Sequence, residues 1–524
     1  MRRAGVEWRS GPRVCSTDVH VGMVLEMACE NLGDRVALGS APGGLSFAEL
    51  GHRSRRAGTI LTKAHGDRVV LVDENSLAVP LALFGAAVAN KPFAPVNYRL
   101  ADDRLRAIVA RTAPATVIVG EGVAARLEGV DNIVMVARDD FLASTEDESV
   151  VETDGWGCDP DATAVLLFTS GTTGEPKAAV LRHRNLAAYL IATLEFGSAG
   201  DDEAALVSVP PYHIAAVSSI LSTTFTGRRV VHLERFDPAQ WVEVARREQV
   251  THAMVVPTML NRILDVIDAE RAVVPSLRSL AYGGGPMPRS VVERALELLP
   301  TVDLVNAYGL TETASTIAVL GPDDHREAAA SDDPAVRDRL GSVGRPLPSV
   351  EVSIRDPLGE PVPEGELGQI WVRGDQVSGE YEGRPSSLAD GWFDTKDSGH
   401  LDADGFLYVH GRLDDVIVRG GENLSPGEVE SALLTHPAVA DAAVVGVPDP
   451  EWGERVVAAI VLHPGAEVAE DDLRAHVREQ LRSACTPERV AFYDELPFNE
   501  TGKLLRRVLR DELAEAFGPA APAG

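Results

Sequence analysis

The chain has 524 residues, 45% of them hydrophobic and 24% charged, an ordinary globular balance with length for roughly three to four packing units of about 150 residues. Its formal net charge of −30 speaks against nucleic acid and anionic membrane as partners. Screening beyond about 8 Å leaves phosphate binding to a few local cations, which have to be found.

The N-terminal arginines lead into no apolar secretory segment before Cys15. No apolar run reaches the roughly 18–20 residues of a spanning helix; the best, residues 79–88, is too short. Cys15, Cys29, Cys158 and Cys485 form no CxxC pair, so neither a disulfide framework nor a zinc site is expected. A cytoplasmic location follows as an expectation.

Short β-branched runs then alternate with helical stretches. Arg68-Val-Val-Leu-Val72, Ala115-Thr-Val-Ile-Val119, Ala164-Val-Leu-Leu-Phe168 and Ala253-Met-Val-Val256 read as buried strands of a mainly parallel sheet, covered by helices such as 81–89. Val119-Gly-Glu-Gly-Val-Ala-Ala125 imitates a dinucleotide-binding turn, but no clear acidic strand end follows, which weighs against a dehydrogenase. After about residue 340 Gly and Pro become frequent, and Gln369-Ile-Trp-Val-Arg373 suggests a smaller β-rich unit. From Gly411-Arg-Leu-Asp-Asp415 onward a compact α+β unit is expected. In it Ser425-Pro426 caps a helix, residues 438–447 and 456–462 form strands, and 471–482 form a helix.

The strongest chemical signal is Leu167-Phe-Thr-Ser-Gly-Thr-Thr-Gly-Glu-Pro-Lys177, a strand ending in hydroxyls and glycines closed by a lysine. Glycines let backbone N–H groups approach phosphate oxygens, hydroxyls add donors, and the lysine adds charge. The spacing is not that of a Walker loop. Thr169, Ser170, Gly171, Thr172, Thr173, Gly174 and Lys177 are therefore candidate phosphate ligands, against the plainer reading of a polar surface loop.

That stretch resembles the phosphate loop of the adenylate-forming superfamily, which includes acyl-CoA synthetases, luciferases and adenylation domains. The resemblance recurs in order at Asn306-Ala-Tyr-Gly-Leu-Thr-Glu312, at Trp392-Phe-Asp-Thr-Lys-Asp-Ser-Gly399 with Gly405-Phe-Leu-Tyr-Val-His-Gly-Arg412, at Gly420-Gly-Glu-Asn423 and at Asn499-Glu-Thr-Gly-Lys503. It implies an α/β protein. A large N-terminal domain (1–411) would hold layered, mostly parallel sheets plus a β-rich subdomain, and a small mobile α+β domain (412–524) would turn on a hinge near Asp414. It also implies an acyl-CoA ligase using ATP, CoA and Mg²⁺. Thr311 would donate to the α-phosphate and Glu312 would help hold Mg²⁺. Asn306, Ala307, Tyr308 and Gly309 would line the nucleotide, with Tyr308 on the adenine. Gly283, Gly284 and Gly285 would leave room for the base and acyl group. Asp397 would accept from the ribose hydroxyls beside Arg412, and Lys503 would reach in from the small domain. Without the resemblance, Asp397 and Arg412 read as a weak surface ion pair.

Gly420, Gly421, Glu422 and Asn423 would line the pantetheine tunnel, and Trp452 would stack on the CoA adenine unless it is a partly buried core aromatic. Of the basic residues expected near 484–489, only Arg489 is present. The acid pocket draws on residues 212–219, 283–285 and 312–316, with His213 orienting the carboxylate or else serving as a satisfied core histidine. None of these offers a carboxylate suited to an α-ammonium, so an apolar, bulky acid is expected. Two positions depart from the family pattern: Ala178 replaces a glycine, and Lys396 stands where Thr-Gly-Asp is usual. If the backbone at 396 needs φ > 0, lysine costs about 1–2 kcal/mol; if not, Lys396 is a spare cation or merely an exposed side chain. An enzyme performing only thioesterification, with a partner enzyme supplying acyl-AMP, and an enzyme loading a carrier-protein thiol are the alternatives. A dimer is left open.

Overall fold

The β-branched runs after Asp67 are buried on both faces, which is why they are continuously apolar rather than alternating. In the computed structural model, which describes residues 19–153, 155–156, 159–169, 176–420, 422–498 and 504–518, they build a six-stranded sheet. Its spatial order is Ile133–Ala137, Ala115–Val119, Arg68–Val72, Phe93–Pro95, Thr163–Thr169 and Lys177–Arg182. Neighbours are parallel except for the final antiparallel hairpin, whose loop is the phosphate-loop candidate.

A second, nine-stranded sheet runs in parallel through Asp303–Leu310, Ser279–Gly283, His252–Val255, Ala204–Val207, Arg229–His232 and Val36–Leu38, with antiparallel strands at its ends. One apolar core takes Val69, Leu71 and Phe93 from the first sheet and Leu206, Val230 and Leu280 from the second. The helix Ala78–Val88 lies in that core with almost every residue buried, as a helix with no polar face must. It begins three residues before the expected start at 81, because Val79 and Pro80 are core residues as well.

A five-stranded antiparallel sheet follows, formed by Glu351–Arg355, Gly368–Arg373, Trp392–Leu401, Leu388–Ala389 and Leu407–Arg412. It shares a core with Ile317 and Ala318 of the nine-stranded sheet, which fixes its place against the strand that carries Tyr308. The Leu413–Asp415 3₁₀ turn leads from Arg412 to a last sheet of Glu422–Leu424, Ile417–Arg419, Gly453–Leu462, Val439–Asp449 and Arg489–Tyr493. Alternate residues of Val439–Asp449 face opposite sides. Val444 packs under the helices Pro426–Leu434 and Glu470–Gln480, whereas Ala443 and Val445 pack under Arg506–Phe517. The smaller C-terminal domain thus carries cores of its own.

Ser425 does sit at the N-cap, but its side chain does not cap the helix. Its Oγ donates to the His410 carbonyl at 2.8 Å, fastening the helix to the preceding sheet instead. Among the described residues no helix is long and apolar enough to cross a membrane.

Candidate active site

The strand Asp303–Leu310 sets Asn306, Ala307, Tyr308 and Gly309 in a row. A register shift between Tyr308 and Gly309 brings the neighbouring strand so close that a Cβ on Gly309 would lie 1.9 Å from the Ser315 carbonyl oxygen. Asn306 Nδ2 donates to the Ser342 carbonyl at 3.2 Å, anchoring the strand. The Tyr308 hydroxyl donates to Asp397 Oδ2 at 2.5 Å. Asp397 and Arg412 are cross-strand partners, with Arg412 Nη1 3.1 Å from Asp397 Oδ1 and 2.9 Å from the Thr395 carbonyl. Asp397 is only 6% exposed, so this is no weak surface pair but a half-enclosed cluster joining two sheets. Burial and the neighbouring carboxylate push the Tyr308 hydroxyl well above its usual pKa. Burial opposes charge on Arg412, but Asp397 together with Glu312 and Tyr308 raises the guanidinium on balance.

Lys396, just before Asp397, has φ = 62°, which settles the conditional expectation. The backbone does require the left-handed region that glycine occupies freely, at a cost to lysine of about 1–2 kcal/mol. Lys396 is no spare cation either, because Nζ lies 2.6 Å from Asp394 Oδ2 and its N–H donates to Asp394 Oδ1 at 2.9 Å.

Glu312 sits in the 3₁₀ turn Thr311–Thr313, directly after that strand. Ala314 (φ 53°) and Ser315 (φ 116°) follow as two successive non-glycine residues at positive φ, a strain of about 1–3 kcal/mol each that persists only under strong external constraint. The constraint is visible. Thr313 Oγ1 donates to the Ser315 carbonyl at 2.8 Å, and the buried Gln376 amide donates to the Thr313 and Thr316 carbonyls at 3.0 and 2.7 Å. The Ser378 N–H donates to the Glu312 carbonyl at 2.8 Å. Glu312 is 8% exposed, and its Oε1 accepts from the Tyr381 hydroxyl at 2.6 Å. Lys177 Nζ stands 5.4 Å from the Tyr381 ring centre. Thr169 and Lys177 face each other as the closing pair of the hairpin, and Ala178 is buried. Ser170, Gly171, Thr172, Thr173 and Gly174 lie outside the described residues.

Gly283 has to be glycine because a Cβ there would lie 2.2 Å from the Ala307 carbonyl oxygen, and Gly284 takes φ = 83°. Gly284 and Gly285 are exposed. His213 precedes the helix Ile214–Thr226, with its ring 4.6 Å from that of Tyr212. Its Nε2 is buried without a hydrogen-bond partner among the described residues, so it is not a satisfied core histidine. Burial lowers its pKa to about 4. The same helix reaches the strained turn through Ser315 Oγ, which donates to Ser218 Oγ at 3.1 Å.

In the C-terminal domain Gly420 and Trp452 come together. The Gly420 N–H donates to the Trp452 carbonyl at 2.7 Å, φ is 57°, and a Cβ there would lie 2.9 Å from the indole ring. Trp452 is 45% exposed, hence no core aromatic, and the Arg419 guanidinium lies 5.5 Å from its ring. Arg419, which sequence reasoning passed over, also donates to the Ala484 carbonyl at 2.9 Å and pairs with Glu488 at 2.7 Å, putting a cation beside the segment where only Arg489 had been found. Gly421, Lys503 and the side chains of Asp414, Glu422 and Asn423 lie outside the described residues. The segment holding Lys503 is flanked by a Phe498–Leu504 bridge and by Arg506, which grips both oxygens of Glu430 at 2.6 and 2.8 Å.

Residues 25–382 match the family model of the AMP-binding enzymes, and residues 428–503 match the model of the AMP-binding enzyme C-terminal domain. A feruloyl-CoA synthase from Amycolatopsis sp. is 36% identical over 478 residues, covering 89% of this chain and 93% of the relative. The solved o-succinylbenzoate CoA synthetase from Bacillus subtilis, in complex with ATP and magnesium ion, superposes with a TM-score of 0.79 at 29% identity over 93% of this chain and 99% of that one. An amide bond synthetase from Marinactinospora thermotolerans gives a TM-score of 0.83 at 31% identity, covering 94% of this chain and 99% of that one. Two family models in sequence order, whole-length relatives and a shared two-domain fold agree with the clusters around Asp397 and Glu312: the chain belongs to the AMP-binding enzyme family, as an AMP-forming acid–thiol ligase of its acyl-CoA ligase branch.

Proposed function

We propose that this chain activates an apolar, bulky carboxylic acid with ATP and passes the acyl group from the acyl-adenylate to CoA. The observation that carries the reading is the Tyr308–Asp397–Arg412 cluster. It is a buried carboxylate paired with a guanidinium, and it suits two ribose hydroxyls. A carboxylate is a poor electrophile. It becomes reactive by attacking the α-phosphorus of ATP, expelling pyrophosphate and forming the mixed anhydride.

The residues present fit that chemistry. Glu312 offers hard carboxylate oxygens, and its Oε2 takes no hydrogen bond among the described residues, which suits Mg²⁺. The metal would supply charge neutralisation on the phosphates. Lys177, Thr169 and the 170–174 loop hold the β- and γ-phosphates, Thr311 donates to the α-phosphate, and Lys503 reaches the ribose and the reacting oxygens. Tyr308 covers the adenine. His213, uncharged at neutral pH and with a nitrogen unbonded among the described residues, orients the acid, and Gly283–Gly285 make room for it. A hinge at Asp414, in the turn between the last two sheets, lets residues 412–524 present a second face, on which Gly420–Asn423 line the thiol's path and Trp452 with Arg419 receives the CoA nucleotide.

Among the acyl-side residues 212–219, 283–285 and 312–316 the one carboxylate is Glu312, which this reading gives to Mg²⁺, so none of them is left to pair an α-ammonium. The acid is therefore uncharged beyond its carboxylate, a class to which the feruloyl group named for the relative belongs. The test is ATP consumption and thioester formation across an acid panel. Bulky aryl and acyl acids are expected to turn over with CoA and amino acids are not. A preference for amino acids, or turnover only with a carrier-protein thiol or an amine, would contradict the reading.

A further inference from the structure

We infer that Tyr381 is the positioning residue that aims the metal-binding carboxylate of Glu312 and sets its spacing from Lys177. This rests on the proposed function, and four independent contacts carry it. The Tyr381 hydroxyl donates to Glu312 Oε1 at 2.6 Å. Its ring lies under the Lys177 ammonium, 5.4 Å from ring centre to Nζ. Its backbone is bridged to Ala179, and the flanking Glu380 and Glu382 exchange main-chain hydrogen bonds with Val180 and Ala178 at 3.0 and 2.9 Å. The segment is tied at its other end as well, where the Ser378 N–H meets the Glu312 carbonyl at 2.8 Å.

One side chain therefore touches a phosphate-side cation with its face and a carboxylate with its tip, while its main chain is bridged to the hairpin strand that carries the cation. The consequence for Glu312 is chemical as well as geometric. A carboxylate with both oxygens free can rotate or chelate in either mode. With Oε1 held by a phenol, the carboxylate plane is fixed and Oε2 is the oxygen left free of hydrogen bonds among the described residues, and Mg²⁺ tolerates little misplacement. The cation–π contact in turn limits where the Lys177 ammonium rests. Tyr381 has no role in bond making; it acts through its two neighbours.

The experiment separates the hydroxyl from the ring and needs no acid substrate. The rise in Tm produced by ATP is titrated with Mg²⁺ for wild type, Tyr381→Phe and Tyr381→Leu, alongside the Tm without nucleotide. Tyr381→Phe keeps the ring and is expected to raise the Mg²⁺ concentration at half-effect about tenfold, with the full effect recovered at high Mg²⁺, since a hydrogen bond to a charged group is lost. Tyr381→Leu is expected to weaken ATP itself in a way that added Mg²⁺ does not restore. Replacement by 4-aminophenylalanine, which keeps a donor in place, is expected to return the Mg²⁺ dependence to that of wild type. In a Glu312→Gln background Tyr381→Phe is expected to change nothing further. An unchanged Mg²⁺ dependence in Tyr381→Phe, no rescue by the amino variant, or an equal loss with and without Glu312 would overturn the inference. A wild type that shows no ATP-dependent rise in Tm would instead overturn the proposed function.

Discussion

Around Asp397, the hydroxyl of Tyr308 and the guanidinium of Arg412 meet a single carboxylate from two different sheets, and the polar atoms spend themselves on one another. Around His213, an imidazole nitrogen is buried with nothing to bond among the described residues, and the neighbouring turn holds two non-glycine residues at positive φ. On the proposed function, the first region would meet the ribose, whose hydroxyls do not vary, so its hydrogen bonds can be built in advance. On the same proposal, the second would receive the acyl group, and it keeps unused hydrogen-bonding capacity among the described residues. An orphaned buried nitrogen costs about 1–3 kcal/mol, and such a cost persists where a ligand group completes it.

The contrast breaks most visibly at Asp397. Asp397→Ala leaves Arg412 half-buried without its carboxylate and Tyr308 without its acceptor. We expect the KM for ATP to rise by about 10–100-fold, the range for a lost hydrogen bond to a charged group, with the KM for the acid nearly unchanged. Equal losses for both substrates would show that the two regions are not separable.

His213 sharpens the same contrast from the other side. His213→Ala is expected to raise the KM for the acid about tenfold while sparing ATP binding. Because burial holds the His213 pKa near 4, the acid KM should show no histidine inflection between pH 5.5 and 8. The stability profile carries the opposite signature. His183, His213, His232 and His252 are all lowered by burial to about 4, against about 6.5 when unfolded. Between those values the unfolded chain binds more protons than the folded one, so stability falls as pH drops from about 6.5 toward 4 and is unaffected by these groups above that window. A Tm that stays flat from pH 7 to pH 5 would contradict this burial.

The smallest expected effect is at Lys396. Lys396→Gly removes the left-handed strain and the exposed pair with Asp394 together, for a net gain of about 1 kcal/mol in urea unfolding. A loss of stability would mean that the Asp394 contact outweighs the strain.

How far the sequence carried depends on which interactions are local. Arg68–Val72 and Ala115–Val119 form strands with the expected limits, because burial on both faces leaves a continuous apolar run that periodicity detects. Asp397 and Arg412 were legible only through the family resemblance. Fifteen positions apart along the chain, they look like any surface pair until the register of two strands sets them opposite each other. Tyr381 escaped altogether: Gly379-Glu-Tyr381 has no signature of its own, and its partner Glu312 is 69 residues away in the sequence. The strain at Ala314 and Ser315 was hidden as well, since neither residue type announces positive φ. Lys396 was the exception, readable because lysine displaced a glycine and the question of φ could be posed in advance.

The central claim is that this one chain makes acyl-adenylate from ATP and an acid. Exchange of labelled pyrophosphate into ATP, with and without a bulky apolar acid, measures that step alone, and Lys503→Ala is its internal control. We expect exchange that depends on the acid and falls by about 10²–10³ in Lys503→Ala, while the variant still forms thioester from synthetic acyl-adenylate and CoA. Exchange at background for an acid whose adenylate the protein readily converts to thioester would contradict the account and leave thioesterification as its only reaction.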